Sequence, residues 1–165
     1  MDIKQLSKII PFHFRLWSGV GKSTQVWNRK VYDKYMVLWY IDARDAMDLL
    51  DEVCGANRAR DHREISWNLY AWVGIYIQDK RVWRWDCWIE SNTEKEKGEA
   101  SDSFKRACVN WGIGRRLYTL PTMIITKDEA EKNRYNITEF VRSKFKVQLT
   151  EWYNSLQPKE DEVWS

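Results

Sequence analysis

Residues 69–77 alternate strictly, with Leu69, Ala71, Val73, Ile75 and Ile77 on one side and Tyr70, Trp72, Gly74 and Tyr76 on the other. A period of two belongs to a β-strand, whose successive side chains point to opposite faces. Gln78-Asp79-Lys80 reads as a turn and residues 81–89 as the returning strand. The pattern predicts an antiparallel meander with an aliphatic face for a helix and an aromatic face for something else. A short strand at 64–67 would precede it.

Two helices are candidates for the aliphatic face. Residues 42–54 carry the stripe Ala43, Ala46, Met47, Leu50, Val53 and Cys54, with Asp42 as N-cap and Gly55 as the residue past the end. A second helix is expected to start near Thr93, where Thr93 and Glu96 match a capping box. Its stripe is Ala100, Phe104, Ala107, Cys108 and Trp111, and Gly112 ends it. Elsewhere, Ile3, Leu6, Ile9 and Ile10 suggest a short helix before Pro11. Phe12, Phe14 and Leu16 alternate as a strand, 18–24 reads as a turn, and 31–41 as a second strand. Residues 57–63 read as a polar, basic loop. An extended stretch follows Pro121, then Asn136 and Glu139 mark another helix start. Ile137, Val141, Phe145, Leu149, Trp152 and Leu156 recur at helical spacing, with 145–149 as an alternative strand. The reading is one domain over 1–157 and a frayed tail at 158–165, with no internal repeat.

A chain of 165 residues can bury about two-thirds of its unfolded surface. No run reaches the roughly 18 apolar residues of a membrane span, and no signal peptide is evident, so a cytoplasmic protein without a membrane partner is expected. Cys54, Cys87 and Cys108 are odd in number and widely spaced, which argues against a disulfide framework. Net charge is +3. Residues 1–126 hold 20 Lys+Arg against 16 Asp+Glu, and 127–165 hold 7 against 8, so the surplus lies in the body. The 11 Trp and 8 Tyr are the compositional outlier. They suit a sheet-rich core or a subunit interface, or the stacking of unpaired bases.

Several motifs carry little chemistry. Ser18-Gly19-Val20-Gly21-Lys22-Ser23-Thr24 looks like a phosphate loop, but Leu16 stands where the pattern needs glycine and no helix follows. His13 and His62 are isolated, and no Cys or His pair has metal-ligand spacing, so no cofactor, metal or catalytic residue is assigned. Asp45, Asp48 and Glu52 could line one helix face and bind a divalent ion, or simply form its solvated side. Lys105 and Arg106 sit on the second helix away from its stripe. Asp102 offers Arg106 an i,i+4 partner. Arg115 and Arg116 follow a Gly-Ile-Gly turn whose backbone can approach a phosphate, and Lys80, Arg81 and Arg84 lie on the hairpin. Basic groups alternating with aromatics are what a single-strand groove requires.

The segment Tyr40-Ile41-Asp42-Ala43-Arg44-Asp45-Ala46-Met47, the strand pair, and GEASDSFKRACVNWGIGRRLY together resemble phage single-strand annealing proteins of the Rad fifty-two superfamily, the branch called Sak-type. The similarity runs over about residues 39–121. It implies an α+β fold, a curved antiparallel β-meander crossed by a helix (a β-β-β-α core) with flanking helices. It also implies homo-oligomeric rings or arcs that hold single-stranded DNA in a basic groove and anneal complementary strands without ATP, with a host single-strand-binding protein as a further partner. Lys105 and Arg106 match the family's inner DNA-contacting pair. A family arginine of the first helix falls on Asp45 in a gapless match, with Arg44 adjacent as its substitute. The alternatives are a small metal-dependent nuclease using the carboxylates of residues 42–52, and a single-strand-binding protein that does not anneal.

Overall fold

The computed structural model describes residues 1–87 and 98–157. The Thr93/Glu96 capping box, the end of the strand expected to reach residue 89, and the tail at 158–165 lie outside the described residues. The fold is α+β, with two antiparallel three-stranded sheets and five helices among the described residues. The chain divides into two compact units, Met1–His13 with Trp39–Thr119, and Phe14–Leu38 with Leu120–Ser165.

The first unit holds the meander. Strands β3 (Arg58–Ile65), β4 (Asn68–Ile77) and β5 (Lys80–Cys87) pair antiparallel in that order. The β4–β5 register runs from Tyr70 opposite Cys87 to Ile77 opposite Lys80. The connecting residues Gln78 and Asp79 both have positive φ, the backbone of the tight hairpin turns whose twist matches the strands they join. Residues 57–63, expected to be a loop, are almost entirely strand β3. Their charges hid an alternation of Arg58, Arg60 and His62 against Ala59, Asp61 and Arg63, which the β4 register places on opposite faces.

Helix α1 (Ala43–Cys54) starts as the sequence predicts. The Asp42 carboxylate accepts the Arg44 and Asp45 N–H groups, and Asp45 Oδ2 accepts the Asp42 N–H at 2.7 Å, a reciprocal cap. Helix α2 (Glu99–Asn110) crosses β4 and β5. Glu99 and Asp102 in its first turn favour the positive end of the helix dipole. The core between the helices and the sheet includes Leu49, Leu50, Ala71, Val73, Ile75, Phe104 and Ala107. Ala71, Val73 and Ile75, the aliphatic side of the period-two strand, are all 0 % exposed. Ser103, buried with them, donates to Glu99 O at 2.8 Å, so its hydroxyl is not an orphan. The N-terminal apolar run is a 3-10 turn, Ile3–Ser7, whose Leu6 joins the same core.

The second unit contains most of the long hairpin β1 (His13–Val26) and β2 (Arg29–Tyr40), together with β6 (Met123–Thr126), which pairs antiparallel with β2. The turn expected at 18–24 is absent. That stretch is continuous strand, and the chain reverses at Trp27-Asn28 instead. Three short helices follow: α3 (Lys127–Lys132), α4 (Ile137–Lys144) and α5 (Lys146–Ser155). Thr126 and Glu129 cap α3 reciprocally, and Lys144 Nζ meets Glu129 Oε1 at 2.5 Å. The expected single C-terminal helix breaks at Phe145, whose ψ of 14° leaves the helical range while its ring stays buried. The apolar period runs straight through the break. Residues 145–149 are helical apart from Phe145, not strand.

Candidate nucleic-acid interface

The site grows from the register of β5. Lys80, Val82, Arg84 and Asp86 stand opposite Ile77, Ile75, Val73 and Ala71, and so share the face that α2 covers. Arg81, Trp83 and Trp85 fall on the other face. The hairpin cations expected to act together are therefore split: Lys80 and Arg84 on the helix side, Arg81 on the aromatic side.

On the helix side, α2 and β5 form a basic seam. Arg106 Nε donates to Asp86 Oδ1 at 3.3 Å. One turn on, Arg84 Nη1 donates to Asn110 O, and its guanidinium lies 4.4 Å from the Trp111 ring centroid. Arg115 reaches back from beyond the helix. It donates to Val109 O through Nε at 3.0 Å and Nη2 at 2.7 Å, and to Asn110 O through Nη2 at 2.9 Å. Two arginines thus satisfy the terminal carbonyls of α2, where the helix dipole is negative. Asn110 Nδ2 donates to Trp85 O at 2.9 Å, and Trp111 Nε1 to Val73 O at 3.0 Å, fixing the same end to the sheet. Asp102 partners Lys105, at 3.5 Å, rather than the expected Arg106. Both Lys105 and Arg106 remain partly exposed, with 30 % and 40 % of their side-chain surface in solvent.

The Gly-Ile-Gly turn does not offer its backbone to a ligand as the sequence suggested. Gly112 has a φ of +100°, and a Cβ there would stand 2.4 Å from Ser7 Oγ. At Gly114 a Cβ would stand 2.8 Å from Ile41 Cδ1. Ile113 between them is fully buried. These glycines permit close packing within the unit, and they aim Arg115 back at α2. Arg116 follows on an exposed 3-10 turn, Arg115–Thr119, and Arg44 is exposed on α1. The structure therefore brings together Arg84, Arg106 and Arg115, sets Lys80 on the same sheet face and Lys105 on the same helix, places Arg116 next to Arg115 on the 3-10 turn, and leaves Arg44 apart on α1.

Four of the five acidic residues at 42–52 make structural contacts. Asp42 and Asp45 form the N-cap, Asp51 binds Arg58, and Glu52 binds Lys8. The N–H groups on Asp42, that of Asp45 first, hold its carboxyl below the ordinary value. His13 Nε2 stands 3.2 Å from Asp45 Oδ2, so His13, Asp42 and Asp45 offer ligand atoms within 4.8 Å of one another. Each of those carboxylates already accepts backbone N–H groups. Burial pushes the Cys108 thiol up to about 12 and raises Cys54, so neither is a ready nucleophile. Among the described residues, no helix is long and apolar enough to cross a membrane.

The basic residues of β3 lie in a stretch whose charge pattern points to a loop, so the sequence does not mark them as site residues. Arg60 stacks on Phe104 at 5.4 Å on the helix side, and His62 Nε2 lies 3.1 Å from Ala100 O. Arg63 lies 5.5 Å from the Trp72 ring on the aromatic side. The alternation was available as a signal once strand was considered.

In comparisons with known proteins, the chain is 28 % identical over 138 residues to the single-stranded DNA-binding protein DdrA of Deinococcus radiodurans. The match covers 82 % of this chain and 64 % of that relative, so it spans a little under two-thirds of the relative's length. No family model and no solved structure matches.

Proposed function

We propose that this chain binds single-stranded DNA and anneals complementary strands without a nucleotide cofactor, in homologous recombination and repair, as do the Sak-type proteins it resembles. The observation that carries the reading is the α2–β5 seam, where Arg84, Arg106 and Arg115 gather along one helix edge, in a chain similar to a single-stranded DNA-binding protein over most of its length. Lys105 and Arg106 hold phosphates at its centre, Lys80, Arg84, Arg115 and Arg116 extend it, and Arg44 contributes from α1. Such contacts neutralise phosphates without reading sequence, and base pairing between the held strand and its complement drives annealing. Strands β3 and β5 edge their sheet, which favours assembly into rings or arcs by strand-edge contacts. The setting is the bacterial cytoplasm, with a host single-strand-binding protein as the further partner.

A salt titration of single-strand binding tests the site. Lys105→Ala with Arg106→Ala leaves the fold intact and weakens binding, and the slope of log K against log salt becomes shallower by about 1.4, at about 0.7 per phosphate contact on a single strand. An unchanged slope and affinity reject the assignment. Complementary and non-complementary fluorescent oligonucleotides separate annealing from simple protection. A magnesium-dependent cleavage assay tests the nuclease reading, for which the His13, Asp42 and Asp45 group is the structural argument among the described residues.

A further inference from the structure

The face of the β3–β4–β5 sheet turned away from α2 is built of rings and guanidinium groups. Trp72 and Trp85 stand opposite in register with centroids 5.6 Å apart, and Tyr70 and Trp85 are likewise 5.6 Å apart. Trp83 stands opposite Gly74, and a Cβ on that glycine would come within 2.7 Å of the indole. The ring therefore lies over the glycine and is held by it, as aromatic residues cover glycines across a strand pair. Arg63 lies 5.5 Å from the Trp72 centroid, and Arg81 5.8 Å from that of Trp83. Trp83 and Trp85 keep 37 % and 50 % of their surface in solvent. At the β3–β4 tip beyond them, Trp67 takes a positive φ of 69° and is 93 % exposed. That is an unfavourable backbone for a bulky side chain, and it buries none of the ring.

We propose that this aromatic face is a second contact surface for single-stranded nucleic acid, on which bases stack on Trp83, Trp85 and Trp72 while Arg63 and Arg81 meet the adjoining phosphates. The charge argues for that occupant. Its cations alternate with π faces, and Asp61, paired with Arg63 at 2.7 Å, is the acidic residue that the β3 register sets beside them. A polyanion bearing flat bases matches both features, because stacking tolerates any sequence and the guanidinium groups supply the charge. Among the described residues, aliphatic side chains, the usual filling of a protein–protein core, are confined on this face to Ala59 and Ile65 on β3. The inference rests on the reading that the chain binds single strands, and it adds a face on the opposite side of the sheet from the α2–β5 seam.

The test uses a single-stranded oligonucleotide carrying 2-aminopurine, whose fluorescence falls when the base stacks on an indole, titrated at several salt concentrations against the full chain. The variants are Trp83→Leu with Trp85→Leu, the same pair to Phe, and Lys105→Ala with Arg106→Ala. Leucine keeps apolar bulk and removes the flat ring, so the Leu pair is expected to lose the quench and weaken binding about tenfold per ring, with an unchanged salt slope. The Phe pair recovers most of the affinity. The Lys105/Arg106 pair keeps the quench and loses slope. Circular dichroism checks that each variant is folded. If the Leu pair is not, Trp85→Leu alone, at the more exposed ring, carries the same expectation. Wild-type affinity and quench in the Leu variants overturn the inference. So does a drop in assembly mass by light scattering with DNA binding intact, which makes the face a subunit contact. Failure of the wild-type chain to bind any single strand overturns the proposed function, and this inference with it.

Discussion

Beneath α2, the sheet face formed by Ala71, Val73 and Ile75 is sealed from water. One residue along each strand, the opposite face leaves Trp83 and Trp85 well exposed. The same strands and the same hydrogen-bond ladder serve both. The difference lies in what each face does with apolar area. The covered face converts it into stability, at about 25 cal/mol per Å² removed from water. The open face keeps it available and edges it with arginine. Basic residues occur on both sides, but Arg84 is committed to the Asn110 carbonyl and Trp111, whereas Arg63 rests on the half-buried Trp72 and Arg81 on the exposed Trp83.

Phe104→Ala gives the largest effect expected from this contrast. The ring is 2 % exposed beneath Arg60, and its loss is expected to cost about 3–5 kcal/mol in urea unfolding. Trp85→Ala on the open face should cost within about 1 kcal/mol of nothing. Equal losses would erase the distinction between the faces. Gly74→Ala comes next. The new methyl must displace the Trp83 indole, at about 1–3 kcal/mol. Adding Trp83→Ala to that variant should return much of the loss in a double-mutant cycle, and strict additivity would show that the ring does not cover the glycine.

Asp42→Ala removes the α1 cap and is expected to cost about 1 kcal/mol near neutral pH. Since the Asp42 carboxyl is held below its usual value in the folded protein, its contribution is complete above the ordinary carboxylate range and is lost as pH falls through that range and below. The variant's stability should therefore fall less steeply on acidification than the wild type's, and parallel acid limbs would contradict the cap. The smallest effect is expected at Trp72. Its Nε1 is buried with no hydrogen-bond partner among the described residues, so Trp72→Phe removes an unsatisfied donor along with some area. Thermal unfolding should move by no more than about 1 kcal/mol in either direction.

The strand at 69–77 and helix α1 were legible because each carries a pattern its backbone imposes: a period of two, and a cap followed by a helical stripe. Strand β3 was not. Arg58, Arg60, His62 and Arg63 look like a solvated loop until the β4 ladder supplies the hydrogen bonds that make them a strand. The turn expected at 18–24 failed for the opposite reason. Gly19 and Gly21 look like a break, but strand β1 carries both with positive φ. The break at Phe145 leaves no trace in the periodicity of 137–156. At the candidate interface, Lys105 and Arg106 could be placed on a helix from sequence. That Arg84 and Arg115 would meet at one carbonyl depended on the hairpin register and on the turn at Gly112, which are long-range facts.

The arginines at the end of α2 carry a thermodynamic consequence. A free arginine side chain gives up roughly 2 kcal/mol of rotamer freedom when a ligand immobilises it. In Arg84 and Arg115 much of that freedom is already lost on folding, because each guanidinium is tied to the helix end. Each keeps further N–H groups for a second acceptor. A phosphate bound there meets cations already in position, and it ties β5, α2 and the turn after it together. Under the proposed function, ligand binding and the integrity of that helix end are one linked equilibrium, and the melting temperature of the protein is expected to rise with the concentration of single strand.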